Sequence, residues 1–308
     1  MEEHSSVALV ELPVGPGRWA EPLENGTHVA MLGTPASATN LAIVEAWSAL
    51  GIDIELVRPD AISTIRPGDI VLGRIDILPT IDGVEPGLLD LLRLERRGVR
   101  VLNRATTLAS AHDKLLTARL LARAALPHPR TVHVRRADDL HELRPPVVVK
   151  PRLGSWGVDV HRCDTEEDLR ECFAEIVTRP WFPRHGVLVQ ELVPPRGYDL
   201  RLLVADRTVV GAVRRVAVPG EWRTNVSLGA TRHPVVPPPA ACALGIAAAG
   251  ACRADFIGID LLPIGDGYTV IELNGAADFN GTYSLPGRDV FRDSAAALGL
   301  LAAVSGRY

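Results

Sequence analysis

The chain has 308 residues, 47% hydrophobic and 23% charged, with a formal net charge of -4. That length exceeds one small core and suits two or three packed lobes, and the charge excludes a general nucleic-acid binder while leaving room for local basic patches that meet phosphates. No apolar run of about 18 residues occurs, so no membrane helix is expected, and the acidic, proline-broken start MEEHSSVALVELPVGPG is not a secretory signal, so a cytoplasmic protein is expected.

Residues 1–27, rich in Pro, Gly and Glu without a sustained period, read as an irregular leader. A first lobe, 28–106, follows. HVAMLG is a short apolar strand, 33–37 a turn, and 40–50 a helix by the spacing of Leu41, Val44, Trp47 and Leu50. IDIELV and DIVLGR are strands, 88–97 is a helix closed by Gly98, and VRVLN is a fourth strand. Strands alternating with helices predict a small, mostly parallel sheet.

A central lobe, 107–190, opens with one long helix over 107–124, rich in Ala, Leu, Lys and Arg and stopped before Pro127. TVHV, PVVVK and VLVQELV are strands, and 166–177 is an amphipathic helix. The last lobe, 191–308, is richer in strands. DLRLLVA and TVVGAVRRVAV read as antiparallel neighbours, and DFIGIDLLPI and YTVIELN as a pair turning at Gly265-Asp266-Gly267. Helices are expected over 240–251 and 289–304. Cys163, Cys172, Cys242 and Cys252 form no CxxC pair and have no His cluster beside them, so they read as buried or idle thiols of a reducing compartment rather than a zinc site.

Two stretches carry the strongest chemistry. Glu272 and Asn274, two apart in a strand, project to one face. If the two late strands pair, Asp260 lies opposite them, and three hard oxygen donors suit magnesium held against phosphate. The alternative is acids salt-bridged to arginine. In VVVKPRLGSWGVDV a buried strand ends at Lys150, followed by a small-residue turn at Gly154, Ser155 and Gly157; its amides can approach phosphate, or it is a plain hairpin. It matches neither a Walker A loop nor a dinucleotide fingerprint. Trp156 at its tip either caps a nucleotide or is a surface aromatic. AHDK at 111–114 opens a helix with an acid and a lysine. VQELVPP has the form of a hinge whose free backbone groups can read an adenine. Asp199 and Arg201 share a strand face, and with Arg214, Arg215, Arg223 and Asn225 they suit phosphate and carboxylate groups, or form solvated ion pairs.

Taken in order, these motifs resemble the RimK-type ligases of the ATP-grasp superfamily, from about Asn103 to Asn280. The resemblance implies an α/β (α+β) ATP-grasp fold, with a small parallel-sheet lobe preceding two α+β lobes that enclose ATP. It implies that Lys114 and Lys150 contact phosphates, Gly154, Ser155, Trp156 and Gly157 cover them, and Gln190, Glu191, Leu192 and Val193 form the adenine hinge. Asp199, Arg223, Thr224 and Asn225 would line the nucleotide site. Arg201 would hold the acyl phosphate and, with Arg215, the oxyanion. Asp260, Glu272 and Asn274 would bind magnesium or manganese. Pro194 and Pro195 stand where relatives often carry a ribose-binding acid, and NGAADFNGTYS departs from the family's usual loop beside the acceptor.

The implied activity joins a carboxylic acid to an amine through an acyl phosphate, adding glutamate or another amino acid to a peptide, a carrier protein or a small molecule. The absence of a Ser-His-Asp or Cys-His arrangement agrees with a reaction that needs no side-chain nucleophile. Two other readings stay open: a nucleotide-binding protein without ligase activity, and an enzyme with a thiol or hydroxyl acceptor. The resemblance also admits a homo-oligomer.

Overall fold

A computed structural model of the chain describes residues 27–34 and 37–301. The expected leader, apart from residue 27, lies outside the described residues. Strands β1 (Val29–Gly33), β2 (Ile54–Val57), β3 (Ile70–Arg74) and β4 (Arg100–Leu102) form a parallel sheet in the order β2-β1-β3-β4. Helices α1 (Ala38–Ala49) and α2 (Leu88–Arg96) make its crossovers. Every residue of β1 and β3 is buried, as a parallel sheet covered on both faces requires. Alternation divides them: Val29 and Met31 pack with Ile43 and Trp47, while Ala30 and Leu32 pack with Leu91 and Leu94.

The expected long helix over 107–124 is two helices, α3 (Ala105–His112) and α4 (Lys114–Arg123). Asp113 between them is extended (φ -95°, ψ 101°), and its carboxylate accepts from the amides of Leu115 and Leu116, which caps α4. Arg152 holds the same carboxylate through Nε and Nη2 at 2.6–2.9 Å, and the Lys114 amide donates to the Arg152 carbonyl. The break follows from a distant contact, not from local propensity, and it places Lys114 on the first turn of α4.

Strands β5 (Thr131–Val134), β6 (Val147–Pro151), β7 (His161–Cys163) and β8 (Val187–Glu191) form an antiparallel sheet in the order β5-β8-β6-β7. β8 ends at Glu191, two residues short of the expected strand. Helices α5 (Glu166–Ile176) and α6 (Phe182–His185) lie between β7 and β8; Leu169, Phe173 and Ile176 pack with Val147, Val149 and Val189.

The third sheet comprises β9 (Tyr198–Ala205), β10 (Thr208–Val216), β11 (Thr231–Pro234), β12 (Phe256–Ile264) and β13 (Gly267–Asn274), in the order β11-β10-β9-β12-β13. Helix α7 (Pro239–Ala251) covers one face. It is built of small residues because it approaches the sheet closely: a Cβ on Gly245 would meet Leu202 Cδ1 at 2.8 Å. Helix α8 (Val290–Ala297) ends well before the expected 304, with 302–304 outside the described residues. It packs against α1, where Trp47 Nε1 donates to the Phe291 carbonyl at 2.9 Å. Among the described residues no helix is long and apolar enough to cross a membrane.

Candidate active site

The β12–β13 ladder places Asp260 directly opposite Glu272 and Gly258 opposite Asn274. The neighbouring ladders place Arg201 opposite Asp260 and Arg215 opposite Asp199. Register alone therefore assembles a charged cluster on one face of the sheet. Arg201 donates to both Asp260 oxygens from Nε (2.6 Å) and Nη2 (2.7 Å). Arg215 Nη2 reaches Asp260 Oδ2 at 2.8 Å, while its Nε and Nη2 also bind the Asp199 carboxylate. Thr224 Oγ1 donates to Asp199 at 2.7 Å. Burial alone would raise the Asp260 carboxyl, but the two guanidiniums outweigh it and hold it at about 2.

The second sheet supplies the facing wall. Lys150, 6% exposed at the end of β6, donates to Gln190 Oε1 on β8 at 2.7 Å. Burial, and then the neighbouring Lys114 charge, push its ammonium down to about 8. Lys114 Nζ lies 2.9 Å from Glu272 Oε1 and donates to the Gly154 carbonyl. Gln190 is thus engaged through its side chain, with Nε2 on Thr131 Oγ1.

The loop after β6 is neither a strand nor a two-residue hairpin. Gly154, Trp156 and Gly157 all have positive φ. Gly157 is required, since φ is +75° and a Cβ there would lie 3.0 Å from Asn225 Oδ1. Arg223 pins this loop. It pairs with Glu221 (Nη2–Oε2 2.8 Å) and donates to the carbonyls of Gly157 and Val160. Ser227 Oγ donates to the Trp156 carbonyl at 2.7 Å.

Most of these groups surround one cleft. Lys114, Lys150, the loop 154–157, Gln190, Glu191, Leu192, Val193, Asp199, Arg215, Arg223, Thr224, Asn225, Asp260 and Glu272 line it, together with apolar Val148, Leu262 and Ile271. Arg201 and Asn274 line an adjoining cavity that shares Ser155, Trp156, Arg215, Asn225 and Glu272 with the first. The adjoining cavity also has Asp76, His112, Arg232 and Asp278 in its walls; Asp278 belongs to the NGAADFNGTYS loop noted in the sequence, while the other three were not singled out there. Asp76 follows the C-terminal end of a parallel strand, the position where open α/β sheets place ligands, and that signal was available.

For a divalent metal the donor chemistry fits. Asp260 lines the first cavity, Asn274 the second and Glu272 both, and Asn274 Nδ2 is buried with no protein acceptor to fix the amide whose oxygen would be the ligand. The acids are nonetheless paired with Arg201, Arg215 and Lys114, as the salt-bridge alternative expects. Among the described residues no three His, Cys, Asp or Glu side chains cluster as a metal site by themselves, so the amide of Asn274 and the phosphates of a nucleotide would complete any coordination.

The model of the RimK-like ATP-grasp domain matches residues 111–293. A protein of Aeromonas salmonicida named probable alpha-L-glutamate ligase is 30% identical over 231 residues, covering 72% of this chain and 74% of the relative. The fold is shared with the RimK domain ATP-grasp protein of Sphaerobacter thermophilus (TM-score 0.66, 21% identity, covering 90% of this chain and 99% of the other). It is also shared with the ATP-grasp ligase PsnB solved with a phosphomimetic variant of its minimal precursor, Mg and ADP (TM-score 0.62, 20% identity, covering 88% and 97%). With the family's domain matched over more than half its length, this chain belongs to the RimK-like ATP-grasp family and is an ATP-dependent ligase.

Proposed function

We propose that the protein joins a carboxylate to an amine through an acyl phosphate, with ATP in the cleft between the second and third sheets and both substrates in the adjoining cavity. The observation that carries this reading is the junction itself: Arg215 and Glu272 stand in the wall of both cavities, so a phosphoryl group leaving one emerges beside whatever fills the other.

In this reading each residue has a role. Val148, Leu262 and Ile271 offer apolar surface to the adenine, and the chain from Gln190 to Val193 offers backbone groups to its edge. Pro195 lines the cleft where an acid would hold the ribose; Glu191 lines the same wall. Lys114 and Lys150 neutralise the phosphates, and the loop 154–157, pinned by Arg223, excludes water. Asp260, Glu272 and Asn274 would hold magnesium, a reading supported by the presence of Mg with ADP in the PsnB complex. When bound, the ion supplies positive charge at the phosphate oxygens. In residue terms, the expected lobe boundaries at 28, 107 and 191 assign Lys150 to the central lobe and the acids to the last.

The substrate carboxylate attacks the γ-phosphorus, the bond to the β-phosphate oxygen breaks, and ADP leaves. The amine nitrogen then attacks the acyl carbon, and the C–O bond breaks to release phosphate and a proton. Arg201 and Arg215 would stabilise the oxyanion of that second step. Their rigid pairing with Asp260 and Asp199 fixes their orientation before substrate arrives.

The test is product identity. Purified protein with ATP, magnesium and amino acids offered in pairs should form ADP and phosphate together with an amide product of the summed mass less water. AMP and pyrophosphate would contradict the acyl phosphate. ADP without an amide would favour hydrolysis or a different acceptor.

A further inference from the structure

Strand β5 is an edge of the second sheet, and it borders a groove of roughly 570 Å³ that the ligase reading does not use. The Arg130 carbonyl accepts from the Glu191 amide, and the register continues Thr131–Gln190, Val132–Val189 and His133–Leu188. Bonded and non-bonded residues alternate in an antiparallel pair. Arg130 and Val132 therefore turn their backbone groups to β8, while Thr131 and His133 turn theirs outward. Every residue from His128 to His133 lines the groove. A cavity on one face of a strand would meet alternate side chains; a continuous run means that this one follows the edge. Among the described residues no backbone group from outside the sheet bonds to Thr131 or His133.

The opposite wall is helix α4. Leu115, Ala118, Arg119 and Ala122 lie at helical spacing on one side of it, and with Val132 they give the groove an apolar floor in which the two alanines leave room. Arg119 and Arg130 are exposed in its walls, and neither has a carboxylate within 4.0 Å among the described residues. Glu142 is the one acid there. The histidines are committed elsewhere. His128 Nδ1 donates to the Val270 carbonyl at 2.8 Å, and its Nε2 accepts from Gln190 Nε2 at 3.2 Å. His133 Nε2 donates to the His185 carbonyl at 2.7 Å. An open strand edge thus runs beside two unpaired guanidiniums.

We propose that this edge docks an extended acidic segment of a partner protein, which adds as a strand to β5 and sets its carboxylates on Arg119 and Arg130. An uncovered edge is a template for a further strand, and the arginines select its charge. A basic segment would meet both guanidiniums and be repelled. The inference stands apart from the ligase reading. Gln190 separates the groove from the nucleotide cleft, which it lines while its Nε2 donates to Thr131 Oγ1 at 2.7 Å, and docking needs no ATP.

The experiment is fluorescence polarisation of the full chain, without nucleotide, using a labelled, end-blocked peptide of alternating glutamate and valine. It should bind, and its glutamine analogue should bind about tenfold or more weaker. Arg119→Glu and, separately, Arg130→Glu should each weaken the acidic peptide about tenfold or more. Both side chains are exposed, so thermal melting should show folded variants. Hydrogen exchange read by NMR should show the bound peptide protecting the amides of Thr131 and His133. Peptides N-methylated at every valine, or instead at every glutamate, leave the protein unaltered. One set should lose binding and the other keep it, because only alternate residues of an added strand bond its neighbour. No binding, equal binding of the glutamine or a lysine analogue, an equal effect of the two methylated sets, or unprotected amides would overturn the inference. Self-association of the chain that protects the same two amides would assign the edge to a second copy and overturn it as well.

Discussion

Lys150 sets a pH dependence that can be worked from the structure. Its ammonium is buried beside Lys114, with Gln190 Oε1 as hydrogen-bond acceptor and no carboxylate within 4.0 Å among the described residues, and it is pushed down to about 8. His128, pushed by burial and then by Lys150 down to about 4, is neutral at physiological pH and adds no competing charge. A lysine with a depressed value is charged below it and loses its charge as pH rises through it. Phosphates beside the ammonium favour the charged form, so ATP restores the ordinary value and binding above pH 8 takes up a proton. From pH 7 to pH 9 the affinity of wild-type protein for ATP should fall about tenfold, or ~1.4 kcal/mol. Calorimetry at pH 8.5 in buffers of different ionisation enthalpy should detect the uptake of most of one proton. Lys150→Met should bind ATP more weakly at pH 7 and show neither the slope nor the uptake. The sign also holds for folding: the folded state releases this proton before the unfolded chain does, so the lysine's penalty is relieved as pH rises from about 8 toward 10.5. A wild-type affinity that is flat over this range, or a slope that survives in Lys150→Met, would refute the reasoning.

Glu272 and Asp260 should separate in their effects. The Glu272 side chain is 24% exposed and holds one lysine, so Glu272→Gln should lower turnover by about a hundredfold or more while changing stability, measured by denaturant unfolding, by about 1 kcal/mol or less. The Asp260 side chain is 3% exposed between two guanidiniums. Asp260→Ala should therefore abolish turnover and also cost about 3–5 kcal/mol of stability, because it strands buried cations. Asn103, fully buried, ties the end of β4 to β12 by donating to the Phe256 carbonyl and accepting from the amides of Asp255 and Phe256. Asn103→Ala should cost about 3 kcal/mol or more in the same unfolding assay.

Much of this was legible from residue spacing. The continuous apolar runs VAMLG and IVLGR mark strands covered on both faces, and the strand–helix alternation sets their parallel order. The turn at Gly265 pairs the two strands, and alternation sets Glu272 and Asn274 on one face, but that register alone would put Asp260 opposite Ile271; an irregularity between Asp260 and Leu261, not legible in the sequence, brings it opposite Glu272. The break at Asp113 was not legible, because helix-forming residues flank it on both sides and the interruption is imposed by Arg152, 39 positions away. Arg201 and Arg215 were visible as candidates, but their pairing depends on the register of three strands, which local sequence does not encode. Asp76, Arg232 and Asp278 come from three separate segments and become a set only when β3, β11 and the loop after β13 meet. No single motif contains more than one of them.

The central claim is that the acids of β12 and β13 meet a triphosphate held by Lys114 and Lys150. A crystal structure with a non-hydrolysable ATP analogue and magnesium tests it most directly. The account predicts the triphosphate between the two lysines, with oxygens of Asp260, Glu272 and Asn274 coordinating magnesium bound to it. A triphosphate in another cavity, or magnesium held away from all three side chains, would contradict it.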